Sequence, residues 1–477
     1  GELMIILGTN SVKAAGGFNV ENSCRFDSAS EQTLEKSQSA GNRNTATFSA
    51  WIKRTKLSSN LAFFAIYGAQ SDAGQIEIRF NGTGDGLQIG GYATVWEKTS
   101  ASFRDISAWY HVVVAIDTTD STANDRIKIY VNGVLQAAAA TGDLAEDEDL
   151  PFGLNNADVV IGSRKMSGGL RDFFSGYMAE VVLIDGAALA PTSFGEFDDN
   201  GIWIPIDVSG LTFGTNGFYL DFKVSANLGN DANGGTDLGE TNIAAVDQST
   251  DTCTNNFATM NSLDNFYQGA TFSDGNLTVT TTNSSQSYST SSIMVSSGKW
   301  YVECKPVSGG SEPEIGVAYK MVGVANGNNA QLSYNANGYG YRASNPGTVW
   351  YNGSAVSTGF SQYANGDIIG IALDLDNNKL YFRKNNEAWG NSGNPESGAT
   401  GTGAISIVDP ASTDMGAYAF AMNENFNDQN KVFSWNFGSP PFAISSSNTD
   451  GDGFGNFEYA VPSGYFALCT KNLAEYG

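Results

Sequence analysis

The sequence predicts an all-β protein made of two antiparallel β-sandwiches in tandem. Short runs of alternating apolar and polar residues are bounded by Gly, Asn, Asp and Ser, and few longer stretches have a helical apolar period. A strand–turn–strand plan occurs twice, at Trp109–Val134 and at Gly366–Gly390. The length of 477 residues allows two or three domains, and each half is long enough to bury its own core.

The first copy of this plan, WYHVVVAIDTTDSTANDRIKIYVNGV, forms the centre of the first predicted sandwich. Because side chains alternate along a strand, each of its two apolar runs presents every second residue to one face. The dipeptide Asn132-Gly133 predicts a hairpin turn, since both residue types tolerate positive φ. The predicted core-facing residues are Val112, Val114, Ile116, Ile127, Ile129 and Val131.

The second copy, GDIIGIALDLDNNKLYFRKNNEAWG, occupies the same place in the second predicted sandwich. Its turn is predicted at Asp376–Asn378. In the returning strand, Lys379, Tyr381 and Arg383 are predicted to point away from the core. The predicted core-facing residues are Ile369, Ile371, Leu373, Leu375, Leu380 and Phe382.

Stretches without regular alternation set the predicted domain divisions. Residues 223–262 are rich in Asn, Asp, Gly and Thr, with recurring apolar residues, which predicts an irregular connector packed along the surface. Gly1–Leu3 precede Met4, the expected natural start, and are interpreted as a cloning remnant. The predicted divisions are an N-terminal segment (1–17), a first sandwich (18–222), the connector (223–262), a second sandwich (263–442) and a C-terminal tail (443–477).

The charge balance excludes some classes of partner. The net charge is −25, and the longest basic cluster is WIKRTK at Trp51–Lys56. Nucleic-acid binding needs a basic surface, so we predict none, and the same repulsion disfavours an anionic membrane surface. No apolar run reaches 18 residues, so no membrane span is predicted. The first residues lack the pattern of a secretory signal, which predicts synthesis in the cytosol without export.

Cysteine and histidine are too few for the common zinc sites. None of Cys24, Cys253, Cys304 and Cys469 forms a CxxC pair. We expect buried thiols, with a bridge between Cys304 and Cys469 as the alternative. His111 is the one imidazole in the chain, and no sequence signal places a Ser or Cys nucleophile beside it. We therefore expect His111 to be structural or exposed.

The sequence predicts no enzyme. A retaining glycosidase needs two carboxyl groups about 5 Å apart. The nearest matches are AEDED at Ala145–Asp149, an acidic loop, and GEFDD at Gly195–Asp199, which lacks a second Glu. A glycan depolymerase remains the alternative, which turnover of polysaccharides tests.

Calcium is the predicted cofactor, at an acidic turn in the C-terminal tail. In NTDGDG, oxygen-bearing side chains stand at Asn448, Asp450 and Asp452, as in the first half of an EF-hand loop. The bidentate Glu expected at the twelfth position is absent, and Tyr459 stands there. An unliganded polar turn is the alternative. NDANGGTD at Asn230–Asp237 is a weaker match to the same pattern.

Four aromatic residues near turns of the second sandwich are predicted to bind a ligand. They lie in the stretches YGYRASN, TVWYNG and EAWGNSG, where aromatic rings next to turns can stack on a sugar or a protein partner. Packing within the sandwich is the alternative for each. The four residues are Tyr341, Trp350, Tyr351 and Trp389.

These motifs carry a resemblance to known families. FSAWIKR, RIKIYVNGV and MAEVVLIDGAAL resemble the concanavalin A-like or laminin-G jelly roll over residues 18–222, which implies a fold that often binds calcium between loops. GKWYVECK, EIGVA, YGYRASNPGTVWYNG and SWNFGSPPF, in this order, resemble a SPRY domain. That resemblance implies that loops of the second sandwich bind the partner.

The whole arrangement resembles tail-fibre and other virion-surface proteins of bacteriophages, marine ones especially. FGNFEYAVPSGYFALCTKNL at Phe454–Leu473 and GAALAPTSFGEFDDNGIWIP at Gly186–Pro205 are typical of that group. The resemblance implies a virion component, released by lysis, that recognises a host-surface glycan or protein, contacts other virion proteins and forms a homo-oligomer such as a trimer. An architectural capsid or tail decoration protein is the alternative.

Overall fold

The computed structural model describes residues 17–138, 144–266, 269–281, 288–309, 313–320, 332–334, 336–424 and 430–477. The chain divides into two compact units, Gly1–Asn256 and Phe257–Gly477. Nearly all of the regular structure is antiparallel β-sheet, so the predicted all-β class with two sandwiches is confirmed. The predicted N-terminal segment lies outside the described residues except for Gly17.

Nineteen described strands belong to the first unit. They are β1 (Ser23–Phe26), β2 (Thr33–Ser37), β3 (Thr45–Arg54), β4 (Leu61–Tyr67), β5 (Gln75–Phe80), β6 (Leu87–Gly90), β7 (Val95–Lys98), β8 (Tyr110–Asp117), β9 (Ile127–Val131), β10 (Val134–Leu135), β11 (Asp158–Ile161), β12 (Arg164–Met166), β13 (Gly169–Arg171), β14 (Gly176–Asp185), β15 (Gly195–Phe197), β16 (Trp203–Pro205), β17 (Phe218–Leu220), β18 (Gly239–Thr241) and β19 (Gln248–Ser249). Short 3-10 turns occur at Asp72–Gly74, Ala123–Asp125, Pro191–Ser193 and Ala245–Asp247.

Two large sheets enclose the core of the first unit. One runs β10-β9-β8-β3-β14-β1-β19, with β17 also paired to β14, and the other runs β18-β2-β11-β4-β5-β6-β7. The central hairpin pairs Val114 with Ile129, and all six residues predicted to face the core are buried in it. Asn132 and Gly133 both have positive φ between β9 and β10, as the hairpin prediction requires.

The outer face of the first unit's eight-stranded sheet is also covered. Trp51, Lys53 and His111 point away from the core yet are no more than 4% exposed. Chain segments that follow β14 bury this face, including the β15–β16 hairpin with Trp203. The segment predicted as an irregular connector contributes β18 and β19 to the two sheets, and the first unit ends at Asn256.

The second unit contains the remaining described strands. They are β20 (Met260–Phe266), β21 (Thr271–Ser273), β22 (Thr278–Thr280), β23 (Tyr288–Ser291), β24 (Lys299–Ser308), β25 (Glu314–Ala318), β26 (Gly338–Arg342), β27 (Gly347–Tyr351), β28 (Ser354–Phe360), β29 (Ile369–Asp374), β30 (Lys379–Lys384), β31 (Ile405–Ser406), β32 (Ala419–Asn423), β33 (Val432–Asn436) and β34 (Phe466–Ala467). Its described helical pieces are 3-10 turns at Gly390–Ser392, Pro395–Thr400 and Pro410–Ser412 and the helix α1 (Thr470–Tyr476).

The second unit repeats the two-sheet plan. Its sheets run β20-β23-β32-β25-β26-β27-β28 and β21-β22-β33-β24-β29-β30-β31, with β34 parallel to β24. The hairpin β29–β30 pairs Ile371 with Phe382, and its six predicted core residues are buried between the sheets. Tyr381 and Arg383 point away from this core, as predicted, but lie under the C-terminal tail, where Arg383 donates to the carbonyl of Ala460 at 2.7 Å.

Two further predictions concern the chain as a whole. The four cysteines are buried thiols, so the alternative bridge between Cys304 and Cys469 is not formed. Among the described residues, no helix has the length and apolar character needed to cross a membrane.

Candidate ligand-binding site

A cavity of about 320 Å³ lies where several strands of the second unit end. The end of β24, the start of β25, the end of β26 and the loop from β28 to β29 contribute residues to it. Because β24 and β29 belong to one sheet and β25, β26 and β28 to the other, the cavity lies at one end of the sandwich. The described lining residues are Pro306, Gly309, Pro313, Ala343, Ser344, Asn345, Gln362, Tyr363, Ala364 and Asn365.

The described residues that line the cavity are polar or apolar and carry no charge. Among the described residues that line it, none has an ionisable side chain except the phenol of Tyr363, although the chain carries a net charge of −25. Asn345, Gln362 and Asn365 supply amides, which can both donate and accept hydrogen bonds. Proline rings and alanine methyl groups supply apolar surface between them. This mixture suits a neutral ligand that has both hydroxyl or amide groups and apolar faces.

Tyr363 holds the cavity floor. Its side chain is buried, and its hydroxyl lies 2.7 Å from the carbonyl oxygen of Pro313 and 3.0 Å from that of Tyr341. Burial raises the pKa of Tyr363 well above its ordinary value, so the hydroxyl stays protonated and donates to these carbonyls. The loop is thereby fixed to two strands of the sheet.

The loop after Tyr363 owes its shape to local sequence. Asp367 accepts from the backbone N–H of Ala364 at 2.8 Å through one carboxylate oxygen and from Asn385 at 2.7 Å through the other. Gly366 adopts a φ of 92°, which side-chain-bearing residues rarely adopt, and its N–H donates to the carbonyl of Pro306 at 2.7 Å. These contacts place Ala364 and Asn365 at the rim, where both are exposed.

The structure places two of the predicted ligand-binding aromatics in different surroundings. Tyr341 is 1% exposed and packs beneath the cavity against the rings of Phe360 and Tyr363. Trp350 is half-buried on the other face of the same sheet, where the guanidinium of Arg342 lies 4.2 Å from its ring centre. That guanidinium also pairs with the buried carboxylate of Glu314.

The other two predicted aromatics also pack against protein neighbours. Tyr351 stacks on Tyr339 with ring centres 4.5 Å apart, and its hydroxyl lies 2.9 Å from that of Tyr319. Trp389 is half-buried against the rings of Tyr301 and Tyr381, on the second unit's eight-stranded sheet. These contacts do not gather the four aromatics into one surface. A ligand-binding role for each stays a prediction.

Sequence reasoning missed the cavity's polar residues. Ser344, Asn345, Gln362 and Asn365 are ordinary loop residues, and nothing in a single sequence separates them from other polar turns. The turn signals Asn345-Pro346 and Asn365-Gly366 mark the two loops. They do not show that both loops meet at one strand end.

His111 has a serine neighbour, but the hydrogen bond between them has the wrong direction for base catalysis. Trp203 donates its indole N–H to Nδ1 of His111 at 2.9 Å, so Nε2 carries the ring proton. Nε2 lies 2.9 Å from Oγ of Ser49 and therefore donates to it instead of accepting its proton. The ring is 1% exposed, and burial lowers the pKa of His111 to about 3. The expected structural role fits this arrangement.

Both carboxylate oxygens of Asp450, the central residue of the predicted calcium turn, accept from N–H groups. Asp450 is 6% exposed, and its Oδ1 accepts from the N–H groups of Asp452 and Phe454 at 3.0 and 2.8 Å. Its Oδ2 accepts from the N–H of Ala467 at 2.9 Å and from Asn472 at 2.7 Å. Calcium needs six to eight oxygen ligands, and a carboxylate that already holds four donors does not fit that role.

The weaker acidic turn is organised in the same way. Asp231 accepts from the N–H of Tyr219 at 3.0 Å, and Asp237 accepts from the N–H of Asp231 at 2.9 Å. The described residues contain no group of three or more His, Cys, Asp or Glu side chains arranged to hold a metal ion. Calcium binding, at either turn or between loops of the first sandwich, stays a prediction.

Comparison with known proteins agrees with this architecture. Residues 27–192 match the family described as the concanavalin A-like lectin/glucanases superfamily, and residues 298–395 match the SPRY domain. The chain therefore carries a concanavalin A-like domain followed by a SPRY domain, two folds that fit a binding role. No curated protein matches the sequence.

Several solved structures resemble parts of the chain. The SPRY domain of human HERC1 has 19% identity, with 37% of this chain and 96% of that chain covered and a TM-score of 0.28. A heptameric SAP-like pentraxin from Limulus polyphemus has 16% identity, with coverage of 36% and 80% and a TM-score of 0.28. Domain 4 of AbnA, a GH43 extracellular arabinanase from Geobacillus stearothermophilus, has 19% identity, with coverage of 33% and 68% and a TM-score of 0.23.

Proposed function

We propose that this protein is a non-catalytic attachment protein of a bacteriophage virion, which binds a neutral host-surface glycan in the cavity of its SPRY domain. The observation that carries the ligand class is that the described residues lining that cavity include no charged side chain, although the chain is strongly acidic. The virion context rests on the resemblance of Gly186–Pro205 and Phe454–Leu473 to tail-fibre and virion-surface proteins.

The lining chemistry favours a sugar over a charged ligand. Sugar hydroxyls pair with amide groups such as those of Asn345 and Gln362, and the C–H faces of a pyranose pack on proline and alanine. A basic ligand would find no carboxylate among the described lining residues, and an acidic one would find no cation. Binding at one small site is weak, so attachment by an oligomer such as a trimer gains avidity.

The test is a matched pair of variants on a glycan array. Ala364→Trp fills the cavity from an exposed position, whereas Ala411→Trp adds the same ring at another exposed loop of the second unit. The N–H of each alanine donates to an aspartate side chain, and both side chains are exposed. We expect Ala364→Trp to weaken glycan binding by tenfold or more, about 1.4 kcal/mol, while Ala411→Trp binds like the unchanged protein.

Other outcomes would contradict the proposal. Equal glycan binding by both variants would show that the cavity is not the binding site. An architectural role would be favoured if the unchanged protein binds no glycan on the array and deletion of its gene prevents virion assembly. Release of reducing sugar from a polysaccharide panel would overturn the non-catalytic assignment. Running the array with calcium and with EDTA also tests whether binding needs the metal.

A further inference from the structure

Lys53 of β3 is enclosed between a carboxylate and a carboxamide in the first unit. Its Nζ lies 2.7 Å from Oδ2 of Asp251 and 2.6 Å from Oδ1 of Asn256. Lys53 is 0% exposed, Asp251 1% and Asn256 2%, so the group is sealed from solvent. The covered outer face of the eight-stranded sheet creates this enclosure.

The neighbours fix the orientation of each reacting group. Asn256 donates its Nδ2 to the carbonyl of Ser107 at 2.7 Å, which turns its oxygen end toward Lys53. Trp109 donates its indole N–H to Oδ1 of Asp251 at 3.0 Å, which leaves Oδ2 facing the amine. The ring centre of Tyr177 lies 5.4 Å from Nζ.

A buried lysine in such surroundings can act as a nucleophile. Taking an ammonium and a carboxylate out of water is costly, and transfer of one proton from Nζ to Oδ2 removes both charges. The neutral amine is nucleophilic, and its hydrogen-bond distance from the carboxamide places it next to the electrophilic carbon. The burial of all three residues keeps bulk solvent away from the carbonyl.

We propose that Lys53 and Asn256 are joined by an intramolecular isopeptide bond, with Asp251 as the proton-transfer group. Asp251 takes a proton from the Lys53 ammonium, and the amine attacks Cγ of Asn256 to form a tetrahedral intermediate. The C–Nδ2 bond breaks, and the released nitrogen takes up protons from the amine and from Asp251. One ammonium ion leaves, one amide bond replaces another, and Asp251 returns to its carboxylate form.

The bond would fasten the end of the first unit to its central sheet. It joins positions separated by 203 residues, on β3 and just before Phe257, where the second unit begins. The segment leading to Asn256 joins the sheet through β19, a strand of two residues, and is also held by non-covalent bonds such as that from Trp109 to Asp251. Tension on the chain at Phe257 would therefore be borne by a covalent link to β3.

Mass spectrometry of the unchanged full-length protein tests the bond directly. We expect the denatured protein to weigh one ammonia less than its sequence mass. A tryptic digest should show no cleavage after Lys53 and should contain a branched peptide that joins the segments holding Lys53 and Asn256. The branched peptide distinguishes this bond from loss of ammonia by ring closure at an Asn-Gly sequence.

Variants identify the participating groups. Asn256→Ala and Asp251→Asn should each abolish the branched peptide, whereas the matched control Asn255→Ala, a change at a neighbouring buried asparagine, should retain it. Complete cleavage after Lys53 in the unchanged protein would overturn the proposal without recourse to any variant. A branched peptide that persists in Asp251→Asn would overturn the role given to Asp251.

Discussion

Replacing Asp450 by asparagine separates a structural role of this residue from a calcium-binding one. Oδ2 accepts two buried N–H groups and Oδ1 two partly buried ones, so an NH₂ group in place of either oxygen leaves two N–H donors without their acceptor, at a cost that is larger on the Oδ2 side. An unsatisfied buried donor costs about 1–3 kcal/mol, which predicts a loss of about 2–6 kcal/mol from the unfolding free energy of the second unit. The expected fall in Tm is roughly 2–4 °C for each kcal/mol.

The matched control is Asp452→Asn, which makes the same change two residues along at an exposed position. We expect an effect within about 0.5 kcal/mol there. Thermal unfolding of both variants and the unchanged protein, each with calcium and with EDTA, completes the assay. The reasoning is refuted if the two variants lose equal stability, or if calcium stabilises the unchanged protein but not Asp450→Asn.

Two further predictions concern pH. Burial raises the pKa of Glu180 from 4.5 to about 7, so the stability it contributes is complete below about pH 4.5 and falls by about 3 kcal/mol as the pH rises to 7. Glu180→Gln should therefore make Tm less dependent on pH between 4.5 and 7. If Tm of this variant depends on pH as in the unchanged protein, the raised pKa of Glu180 is contradicted. Burial lowers the pKa of His111 to about 3, so stability should fall as the pH drops from 6.5 toward 3. Because the chain has one histidine, its ring NMR signals are unambiguous, and a titration near pH 6.5 would contradict the buried position.

Alternation along the strands predicted the central hairpins because the rule is local. Val114 and Ile371 point into their cores for the reason visible in the sequence, which is that every second side chain shares a face. The same rule correctly predicted that Tyr381 and Arg383 point away from the core. It carried no information on whether that outward face meets water, since the covering residues come from the C-terminal tail.

The candidate site was less predictable than the fold. Aromatic residues beside turns were the sequence signal, but ring packing against Tyr339, Tyr301 and Tyr381 engages Tyr351 and Trp389. The cavity arises because three segments separated in sequence meet at one end of the sandwich, and its side chains are common in any loop. The arrangement of the strands, and not the residue types in the loops, brings these side chains together.

Two segments that show no periodicity in the sequence act as covers, and this bears on where recognition occurs. Residues that follow β14 close the outer face of the first unit's eight-stranded sheet, and the tail closes that of the second unit's. A buried aspartate organises each cover: Asp251 accepts from Trp109 in the first unit, and Asp450 accepts from Ala467 and Asn472 within the tail of the second. A sheet face closed in this way cannot meet a partner, which leaves the strand-end loops and the outer faces of the two seven-stranded sheets, and binding residues are most often on loops. The cavity next to Tyr363 lies at such a strand end, which is why we direct the first binding variants there.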